Sequence, residues 1–213
     1  MRTEIIPAIL VKRKDELLHK ISLVLPYVNI IQLDIMDNEF VPNKTVALED
    51  LQDLPEANYE FHWMVLNPDK WIEKTPGPHM HLVHIETITD FSLVETAVKK
   101  SGGRLGLAIN PDTPLEKILP FAEKVEEILI MTVRPGFSGQ KYMPEMEEKI
   151  KRLRKLYPEL NIEVDGGINL ETIVPAYKAG ANYLAAASAV FKEDRIRENV
   201  AALKGVLDVE EDS

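Results

Sequence analysis

The sequence has no cysteine. Disulfide staples, thiolate nucleophiles and cysteine-ligated zinc are therefore excluded. It is short of positive charge, with 25 lysines and arginines against 35 aspartates and glutamates and a formal net charge of −10. So acidic a chain offers no basic stripe to nucleic-acid phosphates, and an anionic membrane surface would repel it. No apolar run approaches the roughly 18 residues of a membrane-spanning helix. The opening Met1-Arg2-Thr3-Glu4 lacks the layout of a secretory leader. No low-complexity tract, linker or shift of composition divides the chain. These absences leave a cytoplasmic protein with a small-molecule partner as the expectation. The acidic end, Glu210-Glu211-Asp212-Ser213, reads as a solvated, frayed terminus.

What is present is a rhythm. At 213 residues and 45% apolar, the chain has enough material for the core of one domain. Short apolar runs predict strands at residues 4–10, 30–36, 59–65, 80–86, 104–109, 127–133, 161–164 and 183–187. Helix-like stretches follow them at 14–25, 47–51, 69–74, 91–100, 114–125, 144–157, 170–179 and 195–207, with Gly102-Gly103 and Gly180 as stops. Eight such units predict one (β/α)8 barrel over residues 1–213, since a doubly wound sheet usually has five or six strands. Barrel active sites lie at the C-terminal strand ends. The residues to read are therefore Asp34, His62, His84, Glu86, Asn110, Arg134 and Asp165.

Gln32 and Asp34 are two apart on one strand and share a face, with Leu33 on the other. A buried Asp must be paired, hydrogen-bonded or metal-bound, because an isolated buried charge is very costly. The same applies to Asp165 at the end of the seventh strand. His62 sits among Phe61, Trp63 and Met64 at the end of the third. Two Asp and one His at strand ends suit a divalent metal site, or a pair of acid/base carboxylates on opposite faces of a substrate. Each residue alone is equally compatible with a hydrogen-bonded place in the core. After the sixth strand, Arg134-Pro135-Gly136-Phe137-Ser138-Gly139-Gln140 has two glycines that let backbone N–H groups approach an anion. Asp165-Gly166-Gly167 and Ala186-Ala187-Ser188 follow the seventh and eighth strands, where many barrels bind phosphate.

Six segments in order carry a resemblance that runs nearly end to end. They are LDIMDNEFVPN from Leu33, HWMVLNP from His62, GLAINPDTP from Gly106, MTVRPGFSGQ from Met131, IEVDGGIN from Ile162 and AAASAVF from Ala185. The chain resembles the ribulose-phosphate 3-epimerases. That resemblance implies a phosphate-binding (β/α)8 barrel that inverts C3 of D-ribulose 5-phosphate to give D-xylulose 5-phosphate. By motif match, Asp34 and Asp165 are the proton-transferring pair. The same two residues, with His62 and the Gln32 position, would hold a divalent ion: Zn²⁺, Fe²⁺, Mn²⁺ or Co²⁺. Met36, Met64 and Met131 match the methionines lining the site and would otherwise read as core. Ala8 and His62 fall on substrate-contacting positions. Gly136, Phe137, Ser138, Gly139, Gly166, Gly167, Ala187 and Ser188 fall on the phosphate-binding loops. A homo-oligomer is also implied.

The departures from the family pattern cluster at the site. Gln32 stands where the family has a metal-binding His, and a neutral amide is the poorer ligand, so metal binding is expected to be weakened or lost. Ala8 replaces a Ser, Ala187 a Gly, Ser138 a Gly, Arg134 an Asn, Asn38 a Gly and Glu39 a His. Both carboxylates remain, which favours an epimerase of pentulose or hexulose phosphates. The substitutions keep two alternatives open: a related barrel enzyme acting on a different phosphosugar such as a hexulose 6-phosphate, or a non-catalytic phosphosugar-binding homologue. The Asp-x-Lys-x-x-Asp motif of decarboxylating and aldol barrels is missing, for Asp34 is followed by Ile35, Met36 and Asp37.

Overall fold

The computed structural model describes residues 2–211. Eight parallel strands, β1 (Glu4–Ile9), β2 (Ile30–Met36), β3 (Asn58–Met64), β4 (Met80–His84), β5 (Arg104–Ile109), β6 (Glu127–Met131), β7 (Asn161–Asp165) and β8 (Tyr183–Ala186), close into a barrel in chain order. Six α-helices surround them: α1 (Lys14–Val24), α2 (Pro68–Ile72), α3 (Phe91–Ser101), α4 (Met146–Leu156), α5 (Ile173–Ala179) and α6 (Ile196–Glu211). Both faces of each strand are covered, which is why the strands read as continuous apolar runs rather than alternating ones. Outward Leu33, Ile35, Phe61 and Trp63 join Leu17, Ile21 and Ile72 of the helices in one large core. Inward Met80, Leu82, Ala108, Leu129, Met131 and Val133 form a separate cluster inside the barrel.

Two of the eight expected helices are instead 3-10 turns. Residues 47–51 give a 3-10 turn at Leu48–Leu51, and 114–125 give two, Leu115–Lys117 and Leu119–Lys124. Pro120 accounts for the second case, because it lacks an N–H and disfavours helical backbone at the residue before it. β4 stops at His84, so Glu86 lies on the 3-10 turn Ile85–Thr87 and not on the strand. Of the acidic end, Asp212 and Ser213 lie outside the described residues. Glu210 does not fray: it belongs to α6 and pairs with Lys178 at 2.6 Å.

Register stacks the inward side chains in layers, with Gln32 beside Glu60 and Asp34 beside His62. Toward the N-terminal end of the barrel, Glu60, Glu127 and Glu163 bring carboxylate oxygens within 4.8 Å of one another. All three are buried. Burial, with repulsion from neighbouring glutamates, pushes the Glu60 and Glu163 carboxyls well above the usual range, and burial, opposed by a hydrogen bond with Glu163, lifts the Glu127 carboxyl to about 7. Apart from a carboxyl proton between Glu127 and Glu163, no donor reaches Glu127 Oε1 or either oxygen of Glu163. This layer holds its protons.

Candidate active site

One layer nearer the C-terminal end, four side chains from three strands converge. The Gln32 amide donates from Nε2 to Asp34 Oδ1 at 2.8 Å and to Asp165 Oδ2 at 2.9 Å. His62 Nδ1 lies 3.1 Å from Asp34 Oδ1 and 3.4 Å from Asp165 Oδ2. Gln32 and His62 are fully buried, while Asp165 keeps 13% of its side chain exposed. Burial opposes a charge on His62, but its hydrogen bonds to Asp165 and Asp34 outweigh that and raise it to about 9. The Asp34 carboxyl is raised by burial, with the neighbouring Asp165 charge adding to the effect and the His62 hydrogen bond opposing it. Two carboxylates thus face each other across a protonated imidazole and an amide NH₂, which offset their repulsion.

The far side of His62 is also engaged. Its Nε2 is 2.9 Å from His84 Nε2, and His84 Nδ1 is 3.1 Å from Glu86 Oε2. The other oxygen of Glu86 accepts the Asn110 backbone N–H at 2.9 Å. Burial holds the His84 imidazole down at about 4. For Glu86 burial pulls upward, yet hydrogen bonds led by that to His84 bring its carboxyl down to about 2.

Above the four residues opens a cleft that is continuous with solvent. Asp34, Met36, Met64, Met131, Gly136, Phe137, Ser138, Gly139, Asp165, Gly166, Gly167, Ala187 and Ser188 line it together. Gln32 and His62 do not line it; both are buried and contact the two aspartates that do. Ala8 is the exception: it is buried beside Gln32 in the barrel wall, and Leu10, two residues on, lines the cleft in its place. Leu10 and Ile168 escaped sequence reasoning because neither carries a charge or a glycine to mark it. The β6 loop is pinned from both sides. Gln140 Nε2 donates to the carbonyls of Arg134 and Phe137 at 2.6 and 2.8 Å, and Asn43 Nδ2 to that of Gly136 at 2.7 Å. Gly166 and Gly167 have φ of 121° and 70°, and a Cβ on either would sit 2.4 Å from Val133 Cγ2 or 2.5 Å from the Tyr142 backbone nitrogen. Only glycine fits both turns. Arg134 points away from the cleft and makes an exposed two-pronged pair with Asp112 at 3.1 Å, tying the β5 loop to the β6 loop.

The donor set fits a divalent cation. Asp34, His62 and Asp165 each present one ligand atom, all within 4.8 Å. Gln32 Oε1 is buried without a hydrogen-bond partner. Turning the amide end for end would present this orphaned oxygen, in place of the NH₂, to an ion between the carboxylates. A carboxamide oxygen is a weaker ligand than imidazole for the borderline metals, so the fit is that of three firm ligands and one weak one.

The ribulose-phosphate 3 epimerase family pattern matches residues 4–191. The chain is 42% identical over 183 residues to the cytoplasmic isoform of ribulose-phosphate 3-epimerase from Oryza sativa subsp. japonica, covering 82% of this chain and 80% of that protein. It is 38% identical over 184 residues to ribulose-phosphate 3-epimerase from Methanocaldococcus jannaschii, covering 83% and 79%. Among solved structures, 3-keto-L-gulonate-6-phosphate decarboxylase from Vibrio cholerae superposes with a TM-score of 0.74 at 13% identity, covering 98% of this chain and 99% of that one. At that identity the likeness is one of fold. Among the described residues, no helix is long and apolar enough to cross a membrane.

Proposed function

Because the chain belongs to the ribulose-phosphate 3-epimerase family, we propose that it inverts C3 of a ketose phosphate, converting D-ribulose 5-phosphate to D-xylulose 5-phosphate. One observation carries the reading. Asp34 and Asp165, from strands on either side of β8 and β1, both line the cleft and both bond the same Gln32 nitrogen. Two carboxyl groups so placed can serve opposite faces of one carbon. One of them removes the C3 proton from one face, and the other, entering protonated, returns a proton to the opposite face; a single base would tend to return it where it came from. The hydrogen being removed is α to a ketone, so negative charge builds on the C2 oxygen. A divalent ion held by Asp34, His62 and Asp165, with Gln32 as the weak fourth ligand, would supply positive charge at that oxygen. Zn²⁺, Fe²⁺, Mn²⁺ and Co²⁺ all suit such a set.

The remaining residues bind and shield. Backbone N–H groups of the Gly136–Gly139 loop, Gly166-Gly167 and Ala187-Ser188 hold the phosphate, and the glycine turns let main chain come close. Met36, Met64 and Met131 keep water from the reacting carbons. The same reading makes the protein a one-domain, cytoplasmic enzyme of pentose phosphate metabolism that works as a homo-oligomer. A second reading, a different ketose phosphate such as a hexulose 6-phosphate, is favoured by Ala8, which brings a methyl group and no hydroxyl to the barrel wall. NMR of D-ribulose 5-phosphate with the protein in D₂O, metal-stripped and then with each ion in turn, tests both. Deuterium at C3 together with xylulose 5-phosphate is expected. Absence of exchange with every ion would reject this substrate, and exchange of a hexulose 6-phosphate alone would select the second reading.

A further inference from the structure

Glu86 and His84 line no part of the cleft, yet they end a continuous hydrogen-bonded chain that begins at Asp34. We infer that this pair positions His62, fixing which of its two ring nitrogens faces Asp34 and Asp165. The inference rests on the proposed function for its purpose, and on donor and acceptor counting for its substance.

The count starts at Glu86. One of its oxygens accepts the Asn110 N–H at 2.9 Å, and the other is 3.1 Å from His84 Nδ1. A carboxylate only accepts, so His84 carries its hydrogen on Nδ1. His84 is fully buried and its Nδ1 hydrogen is already taken by Glu86, so in the neutral ring Nε2 is a bare lone pair. The 2.9 Å contact between the two Nε2 atoms needs one hydrogen, and only His62 can supply it. His62 therefore keeps its hydrogen on Nε2, and Nδ1 is the nitrogen that works toward the carboxylates. With a cation present that nitrogen can offer its lone pair without disturbing a bond on its far side.

The surroundings hold the chain in place. The His62 and His84 rings are nearly coplanar, 20° apart with centroids 5.1 Å apart, and Phe40 packs on His84 at 5.0 Å. Glu86 is fixed at the end of β5 through Asn110. The Asn110 carbonyl, with those of Pro111 and Thr113, is in turn held by Lys149 Nζ at 2.8 to 3.1 Å. The device thus reaches from the floor of the cleft to helix α4.

Glu86→Gln is the sharpest test. A carboxylate can accept from Asn110 and from His84 at once, but an amide can accept from only one of them. If its oxygen takes the Asn110 N–H, its NH₂ faces His84 Nδ1, the hydrogen moves to His84 Nε2, and His62 must give up its own there. Long-range ¹H–¹⁵N NMR of histidine-labelled protein reads the tautomer of each of the 5 rings. Titration of metal-stripped protein with Mn²⁺ alone reads affinity. In folded Glu86→Gln, the His62 Nε2–H signature should be lost and Mn²⁺ affinity should fall about 10–100-fold, the usual effect of removing a group that orients a metal-binding histidine. His84→Gln, whose amide oxygen can accept from His62 Nε2–H, should keep the signature. An unchanged tautomer and affinity in folded Glu86→Gln would reduce the pair to packing and overturn the inference. If wild type binds no Mn²⁺, the tautomer readout decides alone. Neither readout involves a sugar, so failure of the epimerase assay with these effects present rejects the substrate and leaves the positioning role standing.

Discussion

Asp34, His62 and Asp165 at the mouth of the barrel, and Glu60, Glu127 and Glu163 one layer below, are both sets of three ionisable side chains with ligand atoms within 4.8 Å. Glu163 lies two residues before Asp165, and Glu60 two before His62, so the two sets share a face of β3 and of β7. Their electrostatics differ because their company differs. The upper set includes a base and receives two N–H bonds from Gln32, which favour the charged form of its carboxyls against burial. The lower set has only acids, and burial drives them to hold protons. Convergence of acids therefore does not make a site. What makes one is a matched cation or donor together with an opening to solvent, and only the upper layer has both.

The comparison can be broken at its strongest point first. Asp165→Asn removes one proton-transfer group and should lower kcat by about 10²–10⁴-fold, the usual worth of a positioned acid or base. Glu163→Gln, one layer down, replaces a protonated carboxyl with a near-isostere and should leave kcat in the wild-type range. Comparable losses in both would show that the two layers act together.

A smaller effect concerns pH. The Glu127 carboxyl is raised from 4.5 to about 7 by burial. Its contribution to stability is fully present below pH 4.5 and is lost as pH rises through about 7. By linkage the loss is on the order of 3 kcal/mol. Wild type should melt at a lower temperature at pH 8 than at pH 5, and Glu127→Gln should narrow that gap. An identical pH dependence in the variant would mean that the lower layer is ionised after all.

The smallest expected change sharpens the upper layer. Gln32→His replaces a weak ligand with imidazole and should tighten Mn²⁺ or Zn²⁺ binding by about 10–100-fold, read by direct titration. Unchanged affinity would mean that the Gln32 position takes no part in holding an ion.

The barrel was legible because strands covered on both faces leave continuous apolar runs, and because turns and caps are local events. Where prediction failed, at residues 47–51 and 114–125, apolar spacing suggested α-helix, while Pro120 and short connections produced 3-10 turns. The mouth residues were legible as chemistry: Asp34, His62 and Asp165 are ionisable groups in apolar strands, and Gly166 and Gly167 sit in turns that admit no side chain. Ala8 and Leu10 show the limit. They are two positions apart on one inward face, and only the height of the cleft floor decides that Leu10 lines it.

The sequence determined by itself which residues of a strand share a face, since that depends only on the two-residue repeat of a β-strand. The tertiary structure alone decided what those residues meet. The Gln32 amide between Asp34 and Asp165, the contact of His62 with His84, and the separation of a layer that holds a base from one of acids alone all arise between different strands. They depend on register and burial around the closed barrel, and no local pattern encodes a hydrogen bond that spans 133 residues.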